Sequence, residues 1–370
     1  MSASSGPVRS TPHAPQVVLV TGAAGFIGAN AVAWLLREQP QVTVISFDAL
    51  TYAAHPESLA MATRGHEVRH HFVRGDVRDG AALAALLAGG VRDATGRLTP
   101  RPDTLWHLAA ETHVDRSILD PGIFVDTNVH GTMRVLEAVR AVRDAGHPVR
   151  LVHVSTDEVY GSLEIGEAPF TEERALAPSS PYAASKAASD LLVEGWARTF
   201  ELDAVITRCS NNYGPFQFPE KLIPLMITRG VAGMLLPVYG DGKQVRDWLY
   251  VDDHISALWA VTCAPVAEAR VFNVGASGER ENITVVQGIL DALGRDRTRI
   301  THVRDRPAHD RRYAMDATRL RTETAWRPRV AFSDGLAATV QWYLANASWW
   351  RALQREASRA ADALYLAPKS

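Results

Sequence analysis

Three glycines at intervals of three follow the first apolar run of the chain. Val17–Val20 leads into Thr21-Gly22-Ala23-Ala24-Gly25-Phe26-Ile27-Gly28. Gly22 permits a tight turn. Gly25 lets the backbone approach a pyrophosphate seated on a helix N-terminus, and Gly28 lets that helix pack closely on the strand. The helical pattern Ile27–Arg37 and a second strand, Val42–Phe47, come next. Asp48 closes that strand twenty residues past Gly28. An acidic residue there hydrogen-bonds an adenosine ribose diol and repels a 2′-phosphate, so the pattern predicts NAD in preference to NADP. After a third strand, His71–Val73, stands Gly75-Asp76-Val77. Asp76 reads equally as an adenine contact or as the cap of the next helix.

Strands and amphipathic stretches keep alternating to about residue 210. Thr104–Leu108, Leu151–Val154 and Ala204–Thr207 read as strands, and Ala82–Leu87 as a helix. Val125, Val129, Met133, Leu136 and Val139 repeat at helical spacing. This alternation predicts an α/β fold: a Rossmann-type doubly wound parallel sheet with a smaller C-terminal α/β substrate-binding domain. After Tyr213 the chain turns loop-rich, with Pro215, Pro219, Pro224 and Pro237, and Gly240 and Gly242 mark a turn. We read 1–15 as a disordered polar tail, 16–210 as the dinucleotide-binding domain, 211–350 as mainly the substrate domain and 351–370 as an extension. The chain is expected to cross between the two domains more than once.

Charge bears on partners. The chain has 39 Lys+Arg against 41 Asp+Glu, a net charge of -2, which argues against nucleic acid. Residues 295–329 carry eleven Arg, but Asp296, Asp305, Asp310 and Asp316 are interleaved with them. No apolar run approaches the ~20 residues that span a bilayer, so no membrane partner is expected. Cys209 and Cys263 form no disulfide framework and read as small buried residues in a reducing, cytoplasmic setting. No His/Cys cluster has metal-ligand spacing, so no metal is expected.

Two further patterns carry chemistry. Pro181-Tyr182-Ala183-Ala184-Ser185-Lys186 sets Tyr182 and Lys186 on one helix face. A neighbouring ammonium is expected to lower the phenol pKa, making a proton-transfer pair. Ser155-Thr156-Asp157-Glu158 closes the Leu151–Val154 strand, at the edge where open α/β sheets bind ligands. Thr156 suits a hydrogen bond to a reacting hydroxyl. Two adjacent carboxyls supply an acid and a base if their surroundings separate their pKa values.

With these motifs the chain resembles the nucleotide-sugar 4,6-dehydratases of the extended short-chain dehydrogenase/reductase family. The resemblance spans about residues 16–350. It includes Ser155–Gly161, His107–Ser117, Arg208–Pro215, Pro219–Pro224, Arg246–Val251 and Asp305–Tyr313. It implies bound NAD and a dTDP-glucose substrate. It assigns oxidation at C4 to Tyr182 with Thr156 and Lys186, C5 deprotonation to Glu158 and C6 hydroxyl protonation to Asp157. Implied cofactor contacts are Phe26, Ile27, Asp48, Thr51, Asp76, Val77, Leu108, Ala110, Thr127, Tyr182, Lys186 and Asn212, beside the glycines. Implied substrate contacts are Thr112, Thr156, Asn211, Lys221, Leu222, Pro237, Tyr239, Arg246, Asn282, Arg306 and His309. Thr112 stands where Ser is common in the family, and Ala308 where Gly is. The resemblance also implies a homodimer built on the helices after Pro121 and Pro181. The alternatives are a nucleotide-sugar 4-epimerase or related oxidoreductase, which does not require Asp157 and Glu158, a 4,6-dehydratase of UDP-glucose, and a non-catalytic NAD-sensing protein, which would be free to lose Tyr182 or Lys186.

Overall fold

The computed structural model describes residues 12–265, 270–305 and 309–353. Its strands are β1 Val17–Thr21, β2 Thr43–Asp48, β3 His70–Arg74, β4 Thr104–His107, β5 Arg150–Thr156, β6 Ala204–Cys209, β7 Asn211–Tyr213, β8 Leu236–Tyr239, β9 Val245–Tyr250, β10 Arg270–Val274, β11 Glu279–Glu281 and β12 Ile300–Val303. Seven of them form one sheet in the order β3-β2-β1-β4-β5-β6-β10. Every pairing in it is parallel, and Val18 lies opposite both Val44 and Thr104. The carboxyl ends of the strands therefore reach one edge. The strand order reverses between β1 and β4, which opens a crevice there.

Alternation along β1 feeds two cores. Val18 and Val20 pack with Val32, Leu35, Ile255 and Leu258, from helices Phe26–Glu38 and Val251–Cys263. Leu19 packs on the other face with Leu83, Leu86, Leu136 and Val193, from helices Gly80–Ala88, Gly131–Asp144 and Pro181–Phe200. Both faces of a parallel sheet must be covered, and the central strands β1, β4, β5 and β6 are buried almost throughout for that reason. A third core of Ile223, Val238, Trp248, Val286, Val340 and Tyr343 lies under β8, β9 and the last helix, Phe332–Ala345. Here β11-β9-β7 and β12-β8 make two small sheets. The chain passes from β7 into this lobe, returns through Val251–Cys263 and β10 to the large sheet, and leaves again at β11.

The Val125–Val139 stripe is not one helix face. Val125–His130 form a π-helical turn, and the α-helix starts at Gly131. The wider turn lets the Asn128 amide grip the Glu111 backbone twice: its Oδ1 accepts from Glu111 N (2.8 Å) and its Nδ2 donates to Glu111 O (3.0 Å). Such inserted turns recur at functional sites. Val125 is 44% exposed whereas Leu136 is fully buried against the sheet, so the stripe serves two surfaces. At the chain's start, His13 N donates to Cys263 O (3.2 Å) and Gln16 N to Asp103 Oδ2 (2.8 Å), which ties this segment to the sheet's amino edge. Residues 1–11 of the expected tail and 354–370 of the expected extension lie outside the described residues. No helix of the described residues is long and apolar enough to cross a membrane.

Leu136→Ala is expected to destabilise the fold by about 2–5 kcal/mol, as cavity-forming core truncations do. Val125→Ala should change monomer stability by roughly 0.5 kcal/mol or less. Urea denaturation of both variants checks this. Equal losses would contradict the division of the stripe.

Candidate active site

The chain leaves β1 through Gly22, whose φ of +68° favours glycine. A Cβ there would lie 2.8 Å from the Ala109 backbone, and one on Gly28 only 2.0 Å from Gly22 O. The two positions set how closely β1, the loop after β4 and the helix Phe26–Glu38 approach. Gly25 is the N-cap of that helix, with no side-chain cap and no acid in the first turn. Its first N–H groups thus remain for an anion. Gly22, Gly25, Phe26, Ile27 and Gly28 line a cleft at the strand-order reversal, with Asp48, Thr51, Asp76, Val77, Leu108, Ala110, Thr127 and Asn212. Asp48 is held by two N–H groups, Ala24 N to Oδ2 (2.8 Å) and Leu50 N to Oδ1 (2.7 Å). Asp76 does not cap the next helix. Asp79 does, accepting from Ala82 N (3.0 Å), while Asp76 pairs with Arg78 at 2.6 Å.

Thr156, Asp157, Glu158, Tyr182 and Lys186 line the same cleft. A short turn, Asp157–Tyr160, follows β5 and is capped by Thr156 Oγ1, which accepts from Glu158 N (3.3 Å). Asp157 is buried and Glu158 half-buried. Burial, then the Glu158 charge, push the Asp157 carboxyl well above its ordinary value, and Arg246 opposes. Adjacent carboxyls are thereby made unlike, because only one of them sits out of water.

Helix Pro181–Phe200 starts on Ser180, whose Oγ accepts from Ala183 N (3.1 Å), with Pro181 in its first turn. Tyr182 and Lys186 stand one turn apart on its buried face. The expected lowering of the phenol by the ammonium is not what the structure gives. Burial, then the Glu158 carboxylate, push the Tyr182 phenol well up, and the Thr156 hydroxyl opposes. Lys186 Nζ donates to Val154 O (2.8 Å).

Of the expected substrate contacts, Thr112, Thr156, Asn211 and Lys221 line this cleft, and Lys221 Nζ donates to Thr112 O (3.0 Å). Leu222, Pro237, Tyr239, Arg246, Asn282 and His309 do not line it. They belong to the neighbouring lobe: Leu222 opens helix Leu222–Val231, Pro237 and Tyr239 lie on β8, Arg246 on β9, and Asn282 opens helix Asn282–Ala292. His309 meets the Tyr239 ring edge-on at 5.8 Å. Arg246 links the two sets, since its charge bears on Asp157 and its guanidinium lies 4.2 Å over the Tyr313 ring. Arg306 and Ala308 lie outside the described residues.

The sequence reading passed over several residues of the cleft wall, among them Glu111, Ser155, Cys209, Ser210, Gln217 and Glu220. Cys209, read only as a small buried residue, donates from Sγ to Ser155 O (3.3 Å), and burial pushes its thiol up to about 12. Cys263 is only partly buried. Glu220 accepts from the Tyr52 hydroxyl (3.2 Å), and the one signal for it was its place beside Lys221. Six buried polar atoms of the wall have no partner within the protein: Ser155 Oγ, Asp157 Oδ2, Ser210 Oγ, Asn211 Oδ1, Asn212 Oδ1 and Gln217 Oε1. Buried polar atoms are normally paired, so this wall, with the uncapped helix start, fits an elongated polar ligand such as a dinucleotide.

Comparison with known proteins agrees with this class of site. The chain belongs to the nucleotide-sugar 4,6-dehydratases of the extended short-chain dehydrogenase/reductase family, and the family model described as GDP-mannose 4,6 dehydratase matches residues 19–339. It is 49% identical over 349 residues to the dTDP-glucose 4,6-dehydratase of Xanthomonas campestris pv. campestris (strain B100), covering 90% of this chain and 94% of that relative. The crystal structure of DesIV, a dTDP-glucose 4,6-dehydratase from Streptomyces venezuelae with NAD bound, superimposes with a TM-score of 0.82 at 45% identity, covering 91% of this chain and 99% of that one. A UDP-glucose 4-epimerase from Thermotoga maritima gives 0.77 at 26% identity, covering 90% and 99%.

Gly28→Ala is expected to strip dinucleotide from the purified protein, because the added methyl meets a backbone oxygen that cannot swing aside. Cofactor released on denaturation measures this. Retention equal to wild type would contradict the role of Gly28.

Proposed function

We propose that this protein is a dTDP-glucose 4,6-dehydratase, a hydro-lyase that forms dTDP-4-keto-6-deoxyglucose and water. The observation that carries the reading is the unlike carboxyl pair, Asp157 buried and Glu158 half-buried, beside Tyr182 at the end of β5. An oxidation alone needs one base. An elimination needs an acid and a base more, and a 4-epimerase has no use for them.

The glycine turn, Asp48, Thr51, Asp76, Val77, Leu108, Ala110, Thr127, Tyr182, Lys186 and Asn212 are the residues that would hold NAD. When bound there, NAD would supply a reversible store for one hydride. Asp48 supports NAD over NADP, because its carboxylate repels a 2′-phosphate. In our reading Tyr182 takes the proton of the C4 hydroxyl while Thr156 Oγ1 fixes that oxygen. The 4-keto group then acidifies C5, and Glu158 removes its proton. Asp157, kept neutral by burial, gives its proton to the C6 hydroxyl, which leaves as water. As the stored hydride is given back to C6, Glu158 returns a proton to C5. Thr112, Asn211, Lys221, Leu222, Pro237, Tyr239, Asn282 and His309 are our candidates for the sugar nucleotide. Arg246, and Arg306 by sequence alone, suit the pyrophosphate, since a guanidinium is a planar donor fork.

Two coarser features accompany this reading. A homodimer is supported by exposed Ile118 (47%), Leu119 (74%), Val125 (44%) and Leu191 (59%), on the segment after His113 and on helix Pro181–Phe200. The cytoplasm suits the two free cysteines.

Incubation with dTDP-glucose and no added NAD is expected to give a product lighter by one water in the mass spectrum. Isomerisation at unchanged mass would replace this reading with the epimerase. Glu158→Gln should block water loss yet still reduce bound cofactor, whereas Tyr182→Phe should slow that reduction by about 100-fold or more. Competition between dTDP- and UDP-glucose tests the base preference. Leu119→Asp with Leu191→Asp should yield monomer in light scattering, and an unchanged dimer would contradict that surface.

A further inference from the structure

Lys186 is a buried cation, and its ammonium makes one hydrogen bond, to Val154 O. An ammonium out of water loses its proton readily unless a negative charge faces it. The groups packed against it can be surveyed element by element. Its own helix brings Tyr182 and Asp190, β4 brings His107, β5 brings His153, and β6 brings Cys209 and, behind Asp190, Arg208. His107 and His153 are held neutral, chiefly by burial; the latter is pushed down to about 4. The Cys209 thiol is neutral too, being pushed up to about 12. Among the described residues this leaves one anion bearing on Lys186, the Asp190 carboxylate.

Asp190 is fully buried one turn beyond Lys186, the spacing at which side chains on a helix meet. Its Oδ2 accepts from Arg208 Nε (2.8 Å), and its Oδ1 lies 3.4 Å from His153 Nε2 with no hydrogen-bond partner. Arg208 is fixed in turn: its Nη1 donates to the Tyr160 hydroxyl (2.9 Å), which donates to Asn273 Oδ1 on β10 (2.8 Å). The carboxylate is therefore seated by β5, β6 and β10 together, behind the cleft and out of reach of any ligand in it.

We propose that Asp190 is a positioning residue for the proton-transfer pair: its buried carboxylate, clamped by Arg208, is the counter-charge that keeps Lys186 an ammonium and seated on the Val154 carbonyl. The reading of Lys186 as part of the oxidation machinery belongs to the function proposed above, and this inference rests on it. Arg208 supplies the second cation that keeps Asp190 ionised, so the catalytic helix and the sheet share one buried charge triad.

The chain has only four lysines, Lys186, Lys221, Lys243 and Lys369. Carbon-13 labelling at lysine Cε therefore gives a countable NMR spectrum of the holoenzyme, with Lys186 assigned by its loss in Lys186→Arg. In Asp190→Asn the Lys186 titration midpoint is expected to fall by about one pH unit or more, the size of a nearby opposite charge. The alkaline limb of cofactor reduction by dTDP-glucose should move down with it, and KM should stay within about twofold. In a Lys186→Arg background the same substitution should leave that limb in place, because a guanidinium does not titrate there. If Asp190→Asn does not fold, because Arg208 keeps only the more distant Glu194 (3.6 Å) as a counter-charge, Asp190→Asn with Arg208→Gln removes the pair and should show the same shift. A Lys186 midpoint unchanged in the folded variant, or a limb shift that persists with Arg at 186, overturns the proposal. Failure of the wild-type holoenzyme to reduce its cofactor with dTDP-glucose would instead sink the proposed function, and the NMR midpoint would still judge Asp190.

Discussion

Gly28 has no side chain, and that sets the distance between the first strand and the helix after it. Any Cβ would lie 2.0 Å from Gly22 O. The helix can therefore start directly over the end of β1, with its uncapped N–H groups at the crevice where the strand order reverses. Everything else in the cleft is placed by parallel register. Because β1, β2, β4, β5 and β6 run the same way, Thr21, Asp48, His107, Thr156 and Cys209 finish near one edge. One close backbone contact and one set of parallel pairings thus bring a dinucleotide site and a carboxyl pair onto the same wall.

Burial then decides the chemistry of each group. Asp157 and Glu158 are neighbours in the chain, yet only Asp157 is fully removed from water, and its carboxyl is pushed up while the other faces the cleft. Tyr182 is pushed up by the same cause. A fully buried carboxyl beside a half-buried one that faces the cleft is an arrangement suited to elimination of water. The cost is that helix Pro181–Phe200 carries charge into the interior. There Lys186 and Arg208 flank one carboxylate, and neutral imidazoles from β4 and β5 fill the remaining space.

Local chemistry was legible in the sequence, and long-range assembly was not. Gly22, Gly25 and Gly28 need only one another, and Tyr182 and Lys186 need only a helix, so their spacing carried the information. The Thr156–Glu158 run was legible because it ends a strand. By contrast, β10 joins the sheet from residue 270, and nothing in Arg270–Val274 distinguishes it from a strand of the other lobe. The π-turn at Val125–His130 has no breaker residue to announce it and depends on Asn128 meeting Glu111 seventeen residues earlier. Asp190 and Arg208 lie on separate elements, and nothing in their spacing pairs them. The phenol's upward shift was misjudged because spacing reports which charges are near, whereas burial needs the fold.

The central claim is that one cleft oxidises a sugar, removes water and re-reduces the product without outside electrons. dTDP-glucose deuterated at C4 tests it in a single experiment with the purified holoenzyme. The account predicts that the deuterium appears in the C6 methyl group of the 4-keto product. Deuterium found at C4 of a sugar that has kept its oxygen at C6, or lost to solvent, would contradict it.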